Sequence, residues 1–264
     1  MEVVMTQLFR FVTLLMCVMG AAAIASRSSA PLSIDPAYEG IYKFSLDCPT
    51  AEPVCHEMSY LRDVNLTVIN TPSGISAILT RNDYSMDLYH FEVHGVVNGE
   101  TIYGDSYHSA GRLAEFRVNL RDRSLTLIDL LVGRELNAVG TQVFNTSALY
   151  QSPASPINVA SLEGDFEVES PKHKGLLRVR ETQNPDFPFV ATYWLPSANL
   201  RFDFSQVTFA PDTGTLTLFH RSGSRLLKWT VFLNRTPQGA VEGKGISMAP
   251  FNGTYYEFTL KRAR

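Results

Sequence analysis

The chain has 264 residues, a formal net charge of −3 and 45% apolar residues. That balance supplies no basic field for nucleic acid and is too apolar for global disorder. The length suits one large domain or two ordinary ones.

At the N-terminus Arg10 precedes an apolar run, Phe11 to Ile24, which ends in the small-x-small sequence Ala23-Ile-Ala25. At about fourteen residues the run is short for a membrane span. It reads as a signal peptide over 1–25, cleaved after Ala25, with an uncleaved anchor as the alternative. Cys17 lacks the small preceding residue that a bacterial lipoprotein site needs. No later segment approaches transmembrane length, so the mature chain is expected to be secreted or periplasmic. Residues 26–37 are Ser/Pro-rich and are expected to be disordered.

From Tyr38 onward short alternating runs are punctuated by turn residues, the pattern of half-buried antiparallel strands. Strands are expected near 39–46, 59–69, 75–80, 86–94, 100–104, 112–120, 124–131 and 140–148. A second series falls near 163–169, 174–182, 188–194, 199–208, 214–219, 225–233, 239–247 and 254–262. Asn98-Gly99, Asp212-Thr-Gly214 and Asn252-Gly253 supply residues suited to tight hairpins. Leu125 to Glu135 also fits a helical turn.

The two series are copies. His108 to Leu120 recurs as Arg221 to Leu233, with Ser109, Arg112, Leu113, Val118 and Leu120 matched identically and Phe116 matched by Trp229. The offset is 113 residues, and it also carries Phe91 onto Phe204 and Asn98-Gly99 onto Pro211-Asp212. Upstream, Tyr38-Glu39-Gly40 matches Leu162-Glu163-Gly164 at a larger offset, so the first copy holds about eleven extra residues after its first strand. A repeat of this length is a whole small domain rather than a solenoid unit. The chain is therefore expected to be all-β. Two tandem antiparallel barrels or sandwiches occupy 38–149 and 161–264, joined by a Ser/Pro linker over 150–160. Closure into barrels would remove sheet edges.

Gly40-Ile-Tyr42 and Gly164-Asp-Phe166, each opening the first strand of a copy, resemble the Gly-x-Trp start of lipocalin-like (calycin-type) barrels. That family also carries a basic residue on its last strand, which Lys261 or Arg262 matches in the second copy. Tryptophan is replaced in both copies, and the first copy ends in Asn145-Thr-Ser-Ala-Leu without such a residue. The resemblance implies ligand binding inside a barrel and no catalytic residues.

Cys48 and Cys55, the only cysteines after the signal segment, bracket six residues of the insertion and should form one disulfide in an exported protein. His90, Glu92 and His94 share one face of a strand, while Phe91 and Val93 take the other. The trio could hold zinc or a similar ion, with His108 as a further ligand. The second copy has Asp203, Ser205 and Val207 there, which favours a polar outer face and no cofactor. Phe187, Phe189, Tyr193 and Trp194 make a strand apolar on both faces, where the first copy has no aromatics. These four are the candidate ligand-binding residues, against ordinary core packing. Arg112 and Arg225, duplicated at a strand start, suit a structural role. Asn65, Asn145, Asn234 and Asn252 head glycosylation sequons that matter in a eukaryotic source.

Catalytic signatures are missing: His56-Glu57 has no further histidine at protease spacing, Gly243-Lys-Gly245 lacks the rest of a phosphate loop, and no Gly-x-Ser-x-Gly occurs. The leading expectation is an exported non-enzymatic protein binding a small apolar or envelope-derived ligand. The alternatives are an extracytoplasmic structural or protein-interaction module, or a metal-assisted hydrolase. The Cys48–Cys55 ring would contribute about 2–3 kcal/mol through loop entropy. Non-reduced, natively folded protein is expected to show neither thiol to an alkylating reagent; two labelled cysteines would refute the pairing.

Overall fold

The computed structural model describes residues 30–45, 64–81, 87–108, 111–129, 134–150, 153, 157–223, 225–250 and 253–263. The segment 1–25 read as a signal peptide, Cys48, Cys55 and Asn252 lie outside them, as do the side chains of His90, His108 and Arg112. No helix among the described residues is long and apolar enough to cross a membrane.

The first copy contributes β1 (Gly40–Phe44), β2 (Val64–Thr71), β3 (Gly74–Arg81), β4 (Asp87–Val97), β5 (Thr101–His108), β6 (Gly111–Asn119), β7 (Ser124–Asp129), β8 (Arg134–Val139) and β9 (Thr141–Asn145). The second contributes β10 (Gly164–Glu169), β11 (Lys174–Glu181), β12 (Phe189–Leu195), β13 (Leu200–Phe204), β14 (Gln206–Ala210), β15 (Thr215–Ser222), β16 (Arg225–Arg235), β17 (Val241–Ala249) and β18 (Thr254–Arg262). Each copy makes one nine-stranded antiparallel sheet, and the two sheets curl into nearly closed barrels in tandem. The all-β duplication read from the sequence is thus observed. Asn98 and Gly99 both carry positive φ, 53° and 71°, as their hairpin requires. The matching turn, Pro211–Gly214, is one residue longer.

Sheet order shows how each barrel closes. In the first sheet the edges are β8 and β9, the two halves of one strand broken at Gly140. The upper half pairs with β7, the lower half with β1. A side chain at Gly140 would meet the Lys43 carbonyl and the Phe44 ring, each at 2.6 Å, so only glycine lets the strand cross there. In the second sheet the edges are β13 and β14, again halves of one strand, broken at Ser205. The Ser205 N–H and hydroxyl both donate to the Phe219 carbonyl, at 2.7 and 3.0 Å, which ties the break to β15. Each barrel is therefore eight strands in up-and-down order, with a different strand broken.

The two copies fill their interiors alike. Phe91 stacks on Phe116 with ring centroids 4.2 Å apart, and their counterparts Phe204 and Trp229 meet edge to face at 5.2 Å. Tyr193 and Phe258 close on Trp229 at 4.8 and 4.7 Å. Eight strands give a bore that side chains can fill, and here large aromatics fill it. Ahead of each first strand a short 3-10 turn, Pro36–Tyr38 or Val159–Ser161, is capped by the side chain of Asp35 or Asn158. The isoleucine before each cap, Ile34 or Ile157, enters its own barrel's core. The Ser/Pro-rich composition of both segments conceals this plug.

Phe204→Ala should cost about 3–5 kcal/mol, the usual result of emptying a packed aromatic site. Urea unfolding would measure it; a loss below about 1 kcal/mol would mean that the bore holds open space.

Candidate functional site

The two start motifs solve one packing problem differently. In the second barrel Phe166 and Arg262 are cross-strand partners, and the guanidinium lies 5.0 Å from the ring centroid. Arg262 also donates to the carbonyls of Ser161 and Glu163 on the plug. Gly164 sits under it with φ of 145°, where a Cβ would strike the guanidinium. In the first barrel Gln142 stands opposite Tyr42 and donates to its hydroxyl at 3.1 Å, while that hydroxyl donates to the Tyr38 carbonyl at 2.7 Å. Burial pushes the Tyr42 phenol far above its ordinary pKa, so it stays a neutral donor.

The four aromatics of β12 and its approach are not brought together. Phe189 and Tyr193 point inward and are buried, while Phe187 and Trp194 are 51% and 45% exposed. Burial pushes the Tyr193 phenol up to about 12. Of the His90, Glu92 and His94 trio, Glu92 and His94 are exposed on the outer face. The His94 Nε2 lies 2.9 Å from Asp105 Oδ2. Among the described residues no three His, Cys, Asp or Glu side chains are grouped to hold a metal.

A hollow lies between the barrels. It is a cleft of about 670 Å³, within the range of small-molecule sites. One wall is the outer face of β14, β15 and β16, whose cross-strand register sets three rows: Gln206–Phe219–Lys228, Thr208–Thr217–Thr230 and Ala210–Thr215–Phe232. The other wall comes from the first copy: its plug (Asp35 to Glu39), the β2 end (Asn70 to Pro72) and the turn after β9.

At the floor Lys228 and Glu39 form an ion pair that joins the copies. Lys228 Nζ donates to Glu39 Oε1 at 2.7 Å and Oε2 at 2.8 Å, and to the Asn70 carbonyl at 3.1 Å. The Asn70 N–H donates to Glu39 Oε1 at 2.9 Å. Both residues are buried, 5% and 4% exposed, so each charge depends on the other. Around the pair an apolar seam of Ile41, Ile69 and Phe144 meets Phe219, Leu226, Ile246 and Met248. Phe144 stacks on Tyr255 at 4.5 Å across the same seam.

Sequence reasoning passes over every one of these cleft residues except Glu39, which is seen only as part of a repeated Glu-Gly pair. Thr208, Thr217 and Thr230 read as ordinary strand threonines. Only strand register, which sequence spacing does not supply, puts them in one row.

No family model matches the chain, and no curated protein matches it. Among solved structures it is similar to a protein of unknown function from the DUF3598 family of Nostoc punctiforme PCC 73102. That likeness covers 85% of this chain and 96% of that one, at 12% identity and a TM-score of 0.27. It is also similar to a candidate outer membrane protein from Bacteroides fragilis NCTC 9343, over 87% of this chain and 100% of that one, at 11% identity and a TM-score of 0.23. Likenesses this distant say nothing about chemistry.

Removing one partner of the buried pair strands the other. Lys228→Met and Glu39→Gln should each cost about 3–5 kcal/mol. The double variant should lose less than their sum by about 1–3 kcal/mol. Strictly additive losses in urea unfolding would show that the two charges do not depend on each other.

Proposed function

We propose that this chain is an exported, non-enzymatic binding protein made of two lipocalin-like barrels, 38–149 and 161–264. Its small ligand occupies the cleft between the barrels rather than either bore. The observation that supports this reading is the contrast between filled interiors and an open cleft. Tyr193, Phe204, Trp229 and Phe258 crowd one bore, whereas the cleft offers about 670 Å³ over a three-stranded wall. The lipocalin-like start motif then serves closure, through Arg262 on Phe166 and Gln142 on Tyr42. Among the described residues no catalytic constellation accompanies the cleft: its two central charges neutralise each other, and hydroxyls and rings make up most of the rest.

A second reading is favoured by one other feature. Phe187, Val190, Trp194 and Leu200 are all exposed on the outer side of the second barrel, 51%, 50%, 45% and 46% respectively. Such a patch suits an extracytoplasmic protein partner.

The two readings separate by placing a bulky residue in the cleft. Thr217→Trp should abolish thermal-shift responses of the protein to a small-molecule library while leaving the unfolding midpoint of the free protein close to wild type. If hits survive in Thr217→Trp but vanish in Trp194→Ala, the outer face of β12 binds and the cleft does not.

A further inference from the structure

We infer that the cleft takes a neutral, polyhydroxylated ligand, a carbohydrate by chemical class, rather than a lipid or other anion. The inference rests on the cleft being the binding site. It follows from what the walls offer and from what they withhold.

What they withhold is a free cation. Among the described residues Lys228 is the only cationic side chain on the cleft wall, and its three N–H groups already meet Glu39 Oε1, Glu39 Oε2 and the Asn70 carbonyl. A phosphate, sulfate or fatty-acid carboxylate entering here would lose its hydration and find no charged donor. Asp35, whose Oδ1 caps the plug by accepting from Ala37 N, adds negative charge on the opposite wall.

What the walls offer is ordered hydroxyls beside aromatic carbon. Thr208, Thr217 and Thr230 stand in one row on neighbouring strands, which lie about 4.8 Å apart. Their β-branched side chains hold few rotamers, so the hydroxyls are positioned before any ligand arrives. The row descends from exposed Thr208 through half-buried Thr217 to buried Thr230. Thr230 is 5% exposed, and its Oγ1 has no hydrogen-bond partner among the described residues. Thr67 Oγ1, Ser106 Oγ, Trp229 Nε1 and Ser247 Oγ are also buried and unpartnered, but of the five only Thr230 lines this cleft. A buried hydroxyl without a partner carries a desolvation cost, which a ligand hydroxyl would relieve once the side chains covering Thr230 Oγ1 part to admit it. Tyr150 and Phe232, edge to face at 5.5 Å, border the row and supply apolar carbon against which the C–H face of a sugar ring can rest.

Thr230→Val tests this without threatening the fold, because it removes an unpartnered hydroxyl at constant shape and should leave the unfolding midpoint unchanged or higher. The experiment is isothermal titration of the full exported chain with neutral malto-, cello-, chito- and manno-oligosaccharides, with oligogalacturonate and palmitate as anionic probes. At least one neutral sugar should bind. Its affinity should fall about fivefold to tenfold in Thr230→Val, the equivalent of one hydrogen bond. It should vanish in Thr217→Trp. Palmitate or oligogalacturonate binding that Thr217→Trp abolishes, with no neutral sugar bound, would overturn the ligand class and leave the cleft as the site. Sugar binding unaffected by either variant would overturn both the inference and the cleft. So would the failure of every probe to bind.

Discussion

Closure of the sheet is the constraint on which everything else in this protein depends. Eight antiparallel strands leave two unpaired edges unless the first meets the last, and an open edge invites pairing with other chains. Each copy closes by letting one strand break and serve both edges, at Gly140 in the first and Ser205 in the second. Once closed, the bore is narrow, and Phe91 with Phe116, or Phe204 with Trp229, occupies it. The cleft described above lies instead between the two barrels, beside the one seam that joins them.

Duplication explains why the seam is asymmetric. Glu39 and Glu163 are the same residue of the repeat, each just ahead of a start glycine. Glu39 is buried against Lys228, whereas Glu163 is exposed and lends only its carbonyl to Arg262. The counterpart of Lys228 in the first copy is Glu115, which has the opposite charge. The second copy thus carries a cation at a position where the first carries an acid, and the first copy buries the glutamate that receives it. A pair of identical barrels could not dock this way.

Most of the barrel plan could be read from the residues. Alternation and turns located nearly every strand, and the 113-residue offset matched Phe91 to Phe204 and Phe116 to Trp229, which take equivalent places in the two bores. Local pattern is enough for such features, because a strand's inward face repeats every two residues. The cleft was not legible for the opposite reason. Its ion pair joins residues 189 apart, and its threonine row exists only when three strands take one register. The plug falls between these cases. Ile34-Asp35 and Ile157-Asn158 recur six or seven residues before each start glycine, a signal masked by the serines and prolines around it.

The span between Glu39 and Lys228 also sets an order of assembly. Contacts so far apart in the chain form late, because the intervening loop must be closed before they contribute. Hairpins of neighbouring strands are local and can form first, so each barrel can gather before the seam does. Until then Glu39 and Lys228 are both hydrated, and no cleft exists. The cleft is therefore a product of docking rather than of either barrel's own folding, and a chain interrupted after its first barrel would lack the wall that Lys228 and the threonine row supply.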